Sequence, residues 1–171
     1  MIVVIDNEDS FTYNIVYALK SLGEQVEVVS TLGDLKPDAL IIGPGPGHPD
    51  VHSFKLLDIP TLGICLGHQW LGLNFGSTIS RFTPYHGKSS KIYHTSSHLF
   101  TGLPQAFKAV RYHSLIIEKL SDCFIKTAWT HDGQIMGIAH KTLPYYGVQF
   151  HPDSISTEFG TTIFKNFVNQ I

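Results

Sequence analysis

Four short apolar runs in the amino-terminal part of the chain constrain its fold more than any other feature. They are IVVI from Ile2, QVEVVS from Gln25, DALIIG from Asp38 and IPTLGI from Ile59. Short apolar runs bounded by turn residues are typical of strands that are buried on both faces of a sheet. We therefore predict that these four segments form neighbouring strands in the centre of a sheet.

A helical pattern lies between the first two runs. Apolar residues recur there at the spacing of one helix face, at Phe11, Ile15, Leu19 and Leu22. Asp9 or Ser10 is suited to cap the start of this helix, and Gly23 is suited to end it. A strand, a helix and further apolar strands in this order predict an α/β fold with parallel strands.

The remainder of the chain combines two predicted helices with short strands. Residues 66–76 and 157–171 have helical patterns, whereas residues 78–150 contain short strand candidates separated by turn signals. The short strands are expected to extend the sheet in antiparallel order. With no linker or repeat, residues 1–171 are predicted to be one domain, a three-layer α/β sandwich with a mixed, mostly parallel central sheet.

Charge and cysteine usage narrow the function classes. The net charge is −2, without a basic block, which argues against nucleic acid or a membrane surface as the main partner. The first residues have no basic region before Asp6, so they do not resemble a secretory signal. The two cysteines, Cys65 and Cys123, do not form a C-x-x-C pair, and a cytoplasmic protein with free thiols is expected.

The segment GICLG places Cys65 between Gly63 and Gly67, after a predicted strand and before a predicted helix. A sharp strand-to-helix turn of this kind is typical of a nucleophile elbow, which exposes its apical side chain at the edge of a sheet. The start of the following helix favours a thiolate over a thiol. A buried, inert cysteine is the alternative, and we favour the nucleophile because strand, glycines and helix agree.

The segment VQFHPDS supplies candidates for the remaining members of a catalytic triad. His151 is suited to transfer the proton, and Asp153 is suited to orient the imidazole. The alternatives are a surface histidine in a proline turn and an aspartate that caps the last helix.

The glycine- and proline-rich segment IIGPGPGHP, with Gly43, Gly45 and Gly47, is suited to present fixed N–H donors to a developing oxyanion. A stiff turn is its alternative, and a phosphate loop is disfavoured because the Lys-Ser/Thr pair is missing.

Ten histidines raise the question of a metal site. His94 and His98 have helical spacing, but no third ligand is evident, and no metal site is predicted. His68 follows Cys65 by three residues and is not placed to act as its base, and His113 is expected beside the substrate pocket.

Together, the elbow, the glycine-proline loop and the His-Pro-acid segment resemble the class I (triad) glutamine amidotransferases. The similarity extends to the small subunit of anthranilate synthase and of aminodeoxychorismate synthase. It is carried by IDNEDSFTYN, GPGPGHP, GICLGHQ, HGK, RYHSL, IMGIAHKTL and GVQFHPDSI, which occur in family order over nearly the whole chain.

This resemblance implies a flavodoxin-like fold without a cofactor, and hydrolysis of L-glutamine through a thioester on Cys65 with His151 as acid and base. It places the oxyanion against backbone N–H groups of Gly45, Gly47 and Leu66. Implied substrate contacts are Gly45, Pro46, Gly47, Gln69, Ser114 and Leu115. The implied partner is a larger chorismate-binding synthase subunit of the tryptophan or folate pathway, which receives the ammonia. Residues 6–14 are expected at the rim of the site or on the partner surface.

Three departures from the family pattern qualify the expectation. Asp153 stands where the family normally has glutamate, so its contact with His151 is expected to be longer and catalysis weaker. The chain is shorter than usual around residues 30–37 and 49–59, and Gly43 replaces a usual serine.

A non-catalytic binding subunit with a degraded triad is one alternative function. A different cysteine hydrolase, such as a peptidase-like enzyme, is another, and the RYHSL segment disfavours it.

Overall fold

The computed structural model describes all residues, 1–171, and contains eleven strands and three α-helices. The strands are β1 Ile2–Ile5, β2 Val26–Val29, β3 Ala39–Ile42, β4 Thr61–Ile64, β5 Thr78–Arg81, β6 Lys88–His94, β7 Phe107–Arg111, β8 Leu115–Lys119, β9 Phe124–Trp129, β10 Ile135–His140 and β11 Tyr145–Val148. The helices are α1 Thr12–Ser21, α2 Leu66–Asn74 and α3 Gly160–Val168. None of the helices is long and apolar enough to span a bilayer.

Nine strands form the central sheet in the order β2-β1-β3-β4-β11-β10-β9-β6-β7. The first five of these run parallel to one another, and the other four pair in antiparallel order. All residues of β1, β3, β4 and β11 are buried, which explains why their sequences do not alternate between polar and apolar residues. The predicted mixed, mostly parallel sheet with antiparallel additions is confirmed.

Two apolar clusters lie on opposite faces of the sheet and define the three layers. On one face, α1 and α3 pack against the sheet and bury side chains such as Leu19 and Phe164. On the other face, α2 buries Trp70 and Leu71. The two-stranded sheet of β5 and β8 lies beside α2 on this second face. The predicted three-layer sandwich is therefore confirmed.

The two segments that sequence analysis found to be short contain no α-helix. Residues 30–38 join β2 to β3 directly, and residues 43–60 contain only a 3-10 turn, Pro49–Val51. The second segment is held against α2, because the Trp70 indole N–H donates to the His52 carbonyl at 3.1 Å. Phe54 packs edge-on against the same indole, with ring centroids 4.9 Å apart.

Helix ends differ from the sequence-based expectation by a few residues. The α1 helix begins at Thr12, after a turn in which the Asp9 carboxylate accepts a hydrogen bond from the Phe11 N–H. It ends as predicted before Gly23, which has φ 90°. The α3 helix begins only at Gly160, so Asp153 does not cap it.

Candidate active site

Cys65 stands alone between the last residue of β4 and the first residue of α2. Its backbone has φ 53° and ψ −99°, a conformation that costs a non-glycine residue on the order of 1–3 kcal/mol. The residue is 6% exposed and lines a cavity at the carboxyl edge of the parallel strands. The strained turn matches the geometry expected of a nucleophile elbow.

The glycines on either side of Cys65 are required by close backbone approaches. A Cβ atom on Gly63 would lie 2.4 Å from the carbonyl carbon and oxygen of Gly67. A Cβ atom on Gly67 would lie 2.1 Å from the carbonyl oxygen of Ile42 in β3. These distances are too short for any side chain, so both glycines allow α2 to start directly against β3 and β4.

The segment that contains His151 and Asp153 follows β11, which lies beside β4 in parallel register with Val148 opposite Ile64. Both strands therefore end at the same edge of the sheet. The side chains of His151 and Asp153 are 2% and 0% exposed, and the Nδ1···Oδ1 distance between them is 3.4 Å. A charge-assisted hydrogen bond is about 2.7–2.9 Å long, so this contact is long. The long contact agrees with the expectation for aspartate in place of glutamate.

The electrostatic surroundings of His151 favour its charged form. Burial lowers the pKa of the imidazole, but the neighbouring Asp153 carboxylate and Cys65 sulfur together raise this pKa to about 10. Neither ring nitrogen makes a hydrogen bond of ordinary geometry, and neither do the two Asp153 carboxylate oxygens. The close approach of the Asp153 carboxylate and the Cys65 sulfur thus favours the imidazolium form of His151.

Residues 6–14 contribute to the rim of the site. The Phe11 ring lies 5.0 Å from the His151 ring and 5.0 Å from the Tyr112 ring, measured between centroids. Tyr112 packs edge-on against His151 at 5.3 Å. The Asn7 amide donates to the Gly43 carbonyl at 3.0 Å and so supports the glycine-proline loop.

The glycine-proline loop presents backbone donors that are unused within the protein. The N–H groups of Gly45 and Gly47 make no backbone hydrogen bond. Leu66 opens α2, and N–H groups in the first turn of a helix lack partners within the helix. A Cβ on Gly45 would lie 2.5 Å from the Asn7 Cβ, so only glycine fits at this position. The loop and the helix start therefore offer the donor set that an oxyanion requires.

A cavity of about 200 Å³ lies above Cys65. It is smaller than the roughly 300–1,000 Å³ typical of sites for drug-sized ligands, and this size suits a small metabolite. Its lining comprises Gly45, Pro46, Gly47, Cys65, Leu66, Gln69, Tyr112, His113, Ser114 and Leu115. Every predicted oxyanion and substrate residue is in this set, whereas His151 and Asp153 are not.

Gln149 is a site residue that sequence analysis missed. This glutamine is completely buried, and its side-chain amide donates to the Cys65 sulfur at 3.7 Å. The side-chain oxygen of Gln149 accepts a hydrogen bond from the Gln69 side-chain amide at 3.1 Å. Gln69 also donates to the Leu115 carbonyl at 2.9 Å, which leaves the Gln69 side-chain oxygen available to a ligand. A glutamine directly after an apolar strand was the only signal in the sequence.

The other histidines do not form a metal centre. The ring nitrogens of His94 contact the Pro104 carbonyl and the Ser96 N–H, both at 3.0 Å. His98 packs against Tyr146 instead of joining His94. His68 is completely buried, and burial lowers its pKa to about 3, so it is neutral and unsuited to the role of base. No group of three or more histidine, cysteine or acidic side chains is arranged to hold a metal ion.

Comparisons with known proteins agree on one family. The family described as glutamine amidotransferase class-I matches residues 3–171. Anthranilate synthase component 2 of Azospirillum brasilense is 42% identical over 187 aligned positions, which cover 99% of this chain and 95% of that protein. Aminodeoxychorismate/anthranilate synthase component 2 of Bacillus subtilis is 44% identical, with coverage of 98% and 95%. A solved structure from Thermoplasma acidophilum, described as that of a GMP synthase subunit, superposes with a TM-score of 0.85 at 30% identity and covers 98% of this chain and 92% of its own.

Proposed function

The chain belongs to the class I glutamine amidotransferase family, and from this premise we propose that it hydrolyses L-glutamine through a thioester on Cys65 and supplies the ammonia to a larger, chorismate-aminating synthase subunit. The observation that carries the proposal is the position of Cys65. Cys65 lines a small cavity together with residues whose backbone N–H groups are unused, and its sulfur contributes to the raised pKa of the His151 imidazole.

The first half-reaction forms the thioester. The Cys65 thiolate attacks the side-chain amide carbon of glutamine, and the N–H groups of Gly45, Gly47 and Leu66 stabilise the oxyanion. His151 donates its proton to the nitrogen as the carbon–nitrogen bond breaks, so ammonia leaves and a glutamyl thioester remains. Asp153 stabilises the imidazolium before this transfer.

The second half-reaction regenerates the thiolate. His151, now neutral, takes a proton from water as the water oxygen attacks the thioester carbon. Collapse of the tetrahedral intermediate breaks the carbon–sulfur bond and releases glutamate. The proton stays on His151, and the imidazolium–thiolate pair is restored.

Release of ammonia from glutamine tests the hydrolytic part of the proposal. We expect turnover by the unmodified protein, no turnover by Cys65→Ser, and unchanged turnover by Cys123→Ser. Cys123 is the matched control because it is the only other cysteine and is exposed. Equal ammonia release by Cys65→Ser and the unmodified protein would reject the proposed nucleophile.

The names of the relatives support the proposed partner, because component 2 of anthranilate or aminodeoxychorismate synthase implies a component 1.

The long contact between His151 and Asp153 favours a second candidate function, that of a subunit that binds the large subunit without hydrolysing glutamine. Isolation of the bound large subunit, followed by ammonia assays with and without it, separates the two. Ammonia release only in the complex supports a partner-activated glutaminase, and a complex that releases none supports the docking subunit.

A further inference from the structure

We propose that Arg111 is a positioning residue for substrate binding, which acts through His113 on the backbone of Ser114 and Leu115. This inference rests on the proposed function, because it takes the cavity above Cys65 to be the glutamine site. Arg111 itself does not line the cavity, whereas the three residues through which it acts do so.

Arg111 is a buried cation at the end of β7, and each of its three nitrogens has a neutral hydrogen-bond partner. The residue is 1% exposed. Its Nε donates to His113 Nε2 at 2.9 Å, one terminal nitrogen donates to the Ser90 hydroxyl at 3.0 Å, and the other donates to the Gln134 side-chain oxygen. The guanidinium carbon lies 3.6 Å from the centre of the Tyr85 ring. Burial of a charge is costly unless its hydrogen bonds are made, and here all three nitrogens have partners.

The Asp132 carboxylate compensates the buried charge of Arg111 indirectly, through Gln134. The Gln134 amide that faces Arg111 also donates to Asp132 at 2.5 Å, and the Thr130 hydroxyl donates to the same carboxylate at 2.6 Å. The hydrogen bonds from Thr130 and Gln134 hold the pKa of Asp132 below its usual range. The turn between β9 and β10 therefore holds the Gln134 oxygen, and through it the guanidinium, in place.

Arg111 determines which nitrogen of His113 carries the proton. Because Arg111 can only donate, the Nε2 atom of His113 must accept, and the proton must lie on Nδ1. Nδ1 is 2.9 Å from the Leu115 carbonyl oxygen and donates to it. The pKa of His113 is lowered to about 3, first by burial and then by the Arg111 charge, so the ring stays neutral.

This neutral ring fixes one wall of the cavity. The Leu115 carbonyl accepts from His113 on one side and from Gln69 at 2.9 Å on the other, so neither lone pair remains free. The Ser114 carbonyl accepts from the Phe82 N–H at 2.8 Å, while the Ser114 N–H makes no backbone hydrogen bond. The wall therefore presents an N–H donor to the ligand in a fixed direction.

Loss of Arg111 would release the Nε2 side of the His113 ring. The charged and titratable groups that face His113 are Arg111, Tyr85, His151 and His68. Without the guanidinium, the Nε2 atom loses its hydrogen-bond donor. The ring can then carry its proton on Nε2, and in that tautomer Nδ1 no longer donates to the Leu115 carbonyl.

The variant Arg111→Met tests the inference in a Cys123→Ser background, where Cys65 is the only thiol. The measured quantity is the glutamine concentration that halves the rate of Cys65 alkylation by iodoacetamide. We expect this concentration to rise about tenfold or more, since hydrogen bonds to charged groups are among the stronger ones. The rise is expected both at pH 6 and at pH 8. The alkylation rate without glutamine reports an intact site and should stay unchanged.

Arg81→Met is the matched control, because Arg81 is the only other arginine and lies exposed at the end of β5. It should leave the half-protecting concentration unchanged. If glutamine protects the unmodified protein and Arg111→Met equally at both pH values, the role of Arg111 is wrong and the proposed function stands. If glutamine does not protect even the unmodified protein, the proposed function fails and this inference fails with it.

A measurement on the unmodified protein covers the case in which Arg111→Met does not fold. Nitrogen-15 NMR of the His113 ring should show a neutral imidazole protonated on Nδ1 throughout the range of about pH 5 to 8, in which an unperturbed histidine titrates. A ring protonated on Nε2, or one that titrates in this range, would overturn the inference.

Discussion

At the scale of single residues, the contact between Asp153 and His151 decides how strongly the proposed triad works. The 3.4 Å separation and the unpartnered carboxylate oxygens show that the aspartate is too short to make a close hydrogen bond. The Asp153 side chain is completely buried beside His151. One additional methylene group is expected to bring the carboxylate closer to the ring.

We predict that Asp153→Glu increases the kcat for glutamine hydrolysis several-fold, because the carboxylate can then reach the imidazole. Asp153→Asn, which keeps the size of the side chain, should lower kcat, because the amide does not stabilise the imidazolium. Steady-state ammonia assays of the three proteins check this order. A large loss of activity in Asp153→Glu would mean that the site is fitted to aspartate.

The raised pKa of His151 predicts a pH-dependent stability. The imidazole has a pKa of about 10 in the folded protein, against about 6.5 when unfolded. Its contribution to the free energy of unfolding is therefore complete below about pH 6.5 and decreases as the pH rises towards 10, by at most about 1.4 kcal/mol per pH unit.

Urea unfolding of the unmodified protein and of His151→Asn measures this contribution. The difference in the free energy of unfolding between the two should be largest near pH 6 and should shrink towards pH 10. A difference that stays constant over this range would show that the histidine is neutral in the folded state.

Sequence could identify the residues that we propose to touch the substrate, but not the residues that position them. Cys65, His151 and the glycine loop each lie in a short segment with a characteristic turn. Gln149 contacts Cys65, which is 84 positions away in the chain, and no local sequence pattern predicts this contact. The role of Arg111 likewise depends on Ser90 and Gln134, which lie 21 and 23 positions away along the chain.

At the scale of secondary-structure elements, the junction of β4 and α2 is the most tightly constrained part of the fold. Gly67 sits against the Ile42 carbonyl, and Gly63 sits against Gly67 itself. Strand and helix identities were predictable here from apolar runs and glycines. The ends of the helices were harder to predict. The α1 helix starts after a local turn at Asp9, and α3 starts where Gly160 packs against the Pro152 carbonyl.

We predict that Gly67→Ala lowers the free energy of unfolding by about 3 kcal/mol or more, because its Cβ would lie 2.1 Å from the rigid Ile42 carbonyl oxygen. Gly72→Ala in the same helix is the control. The nearest atom to its Cβ would be the Ile117 Cδ1, at 2.6 Å, and the end of a side chain can move. Chemical denaturation should show a small effect for Gly72→Ala; equal effects would contradict the assigned backbone clash.

At the scale of the whole molecule, the strand order brings together what the chain separates. Cys65 and His151 are distant in sequence, yet they meet because β11 inserts next to β4 and not at the edge of the sheet. Apolar patterning predicted a mixed sheet in three layers. The order of its strands, and therefore the site, depended on long-range pairing that no local pattern specifies.

In the proposed complex, this chain hydrolyses glutamine and the large subunit aminates chorismate. This assignment predicts how the complex responds to Cys65→Ser. The variant complex should still aminate chorismate when ammonium salts are supplied, because the synthase reaction needs only ammonia. It should not do so with glutamine. Product formation with each nitrogen source checks this, and glutamine-dependent amination by the variant complex would contradict the assignment.

Detection of the glutamyl thioester tests the proposed role of Cys65 without any intermediate step. The protein is mixed with glutamine, quenched in acid within its first turnovers and analysed by mass spectrometry. The account predicts a mass increase of one glutamyl group on the peptide that contains Cys65, formed together with ammonia and absent from Cys65→Ser. Ammonia release with Cys65 unmodified at every quench time, or a glutamyl group on Cys123, would contradict it.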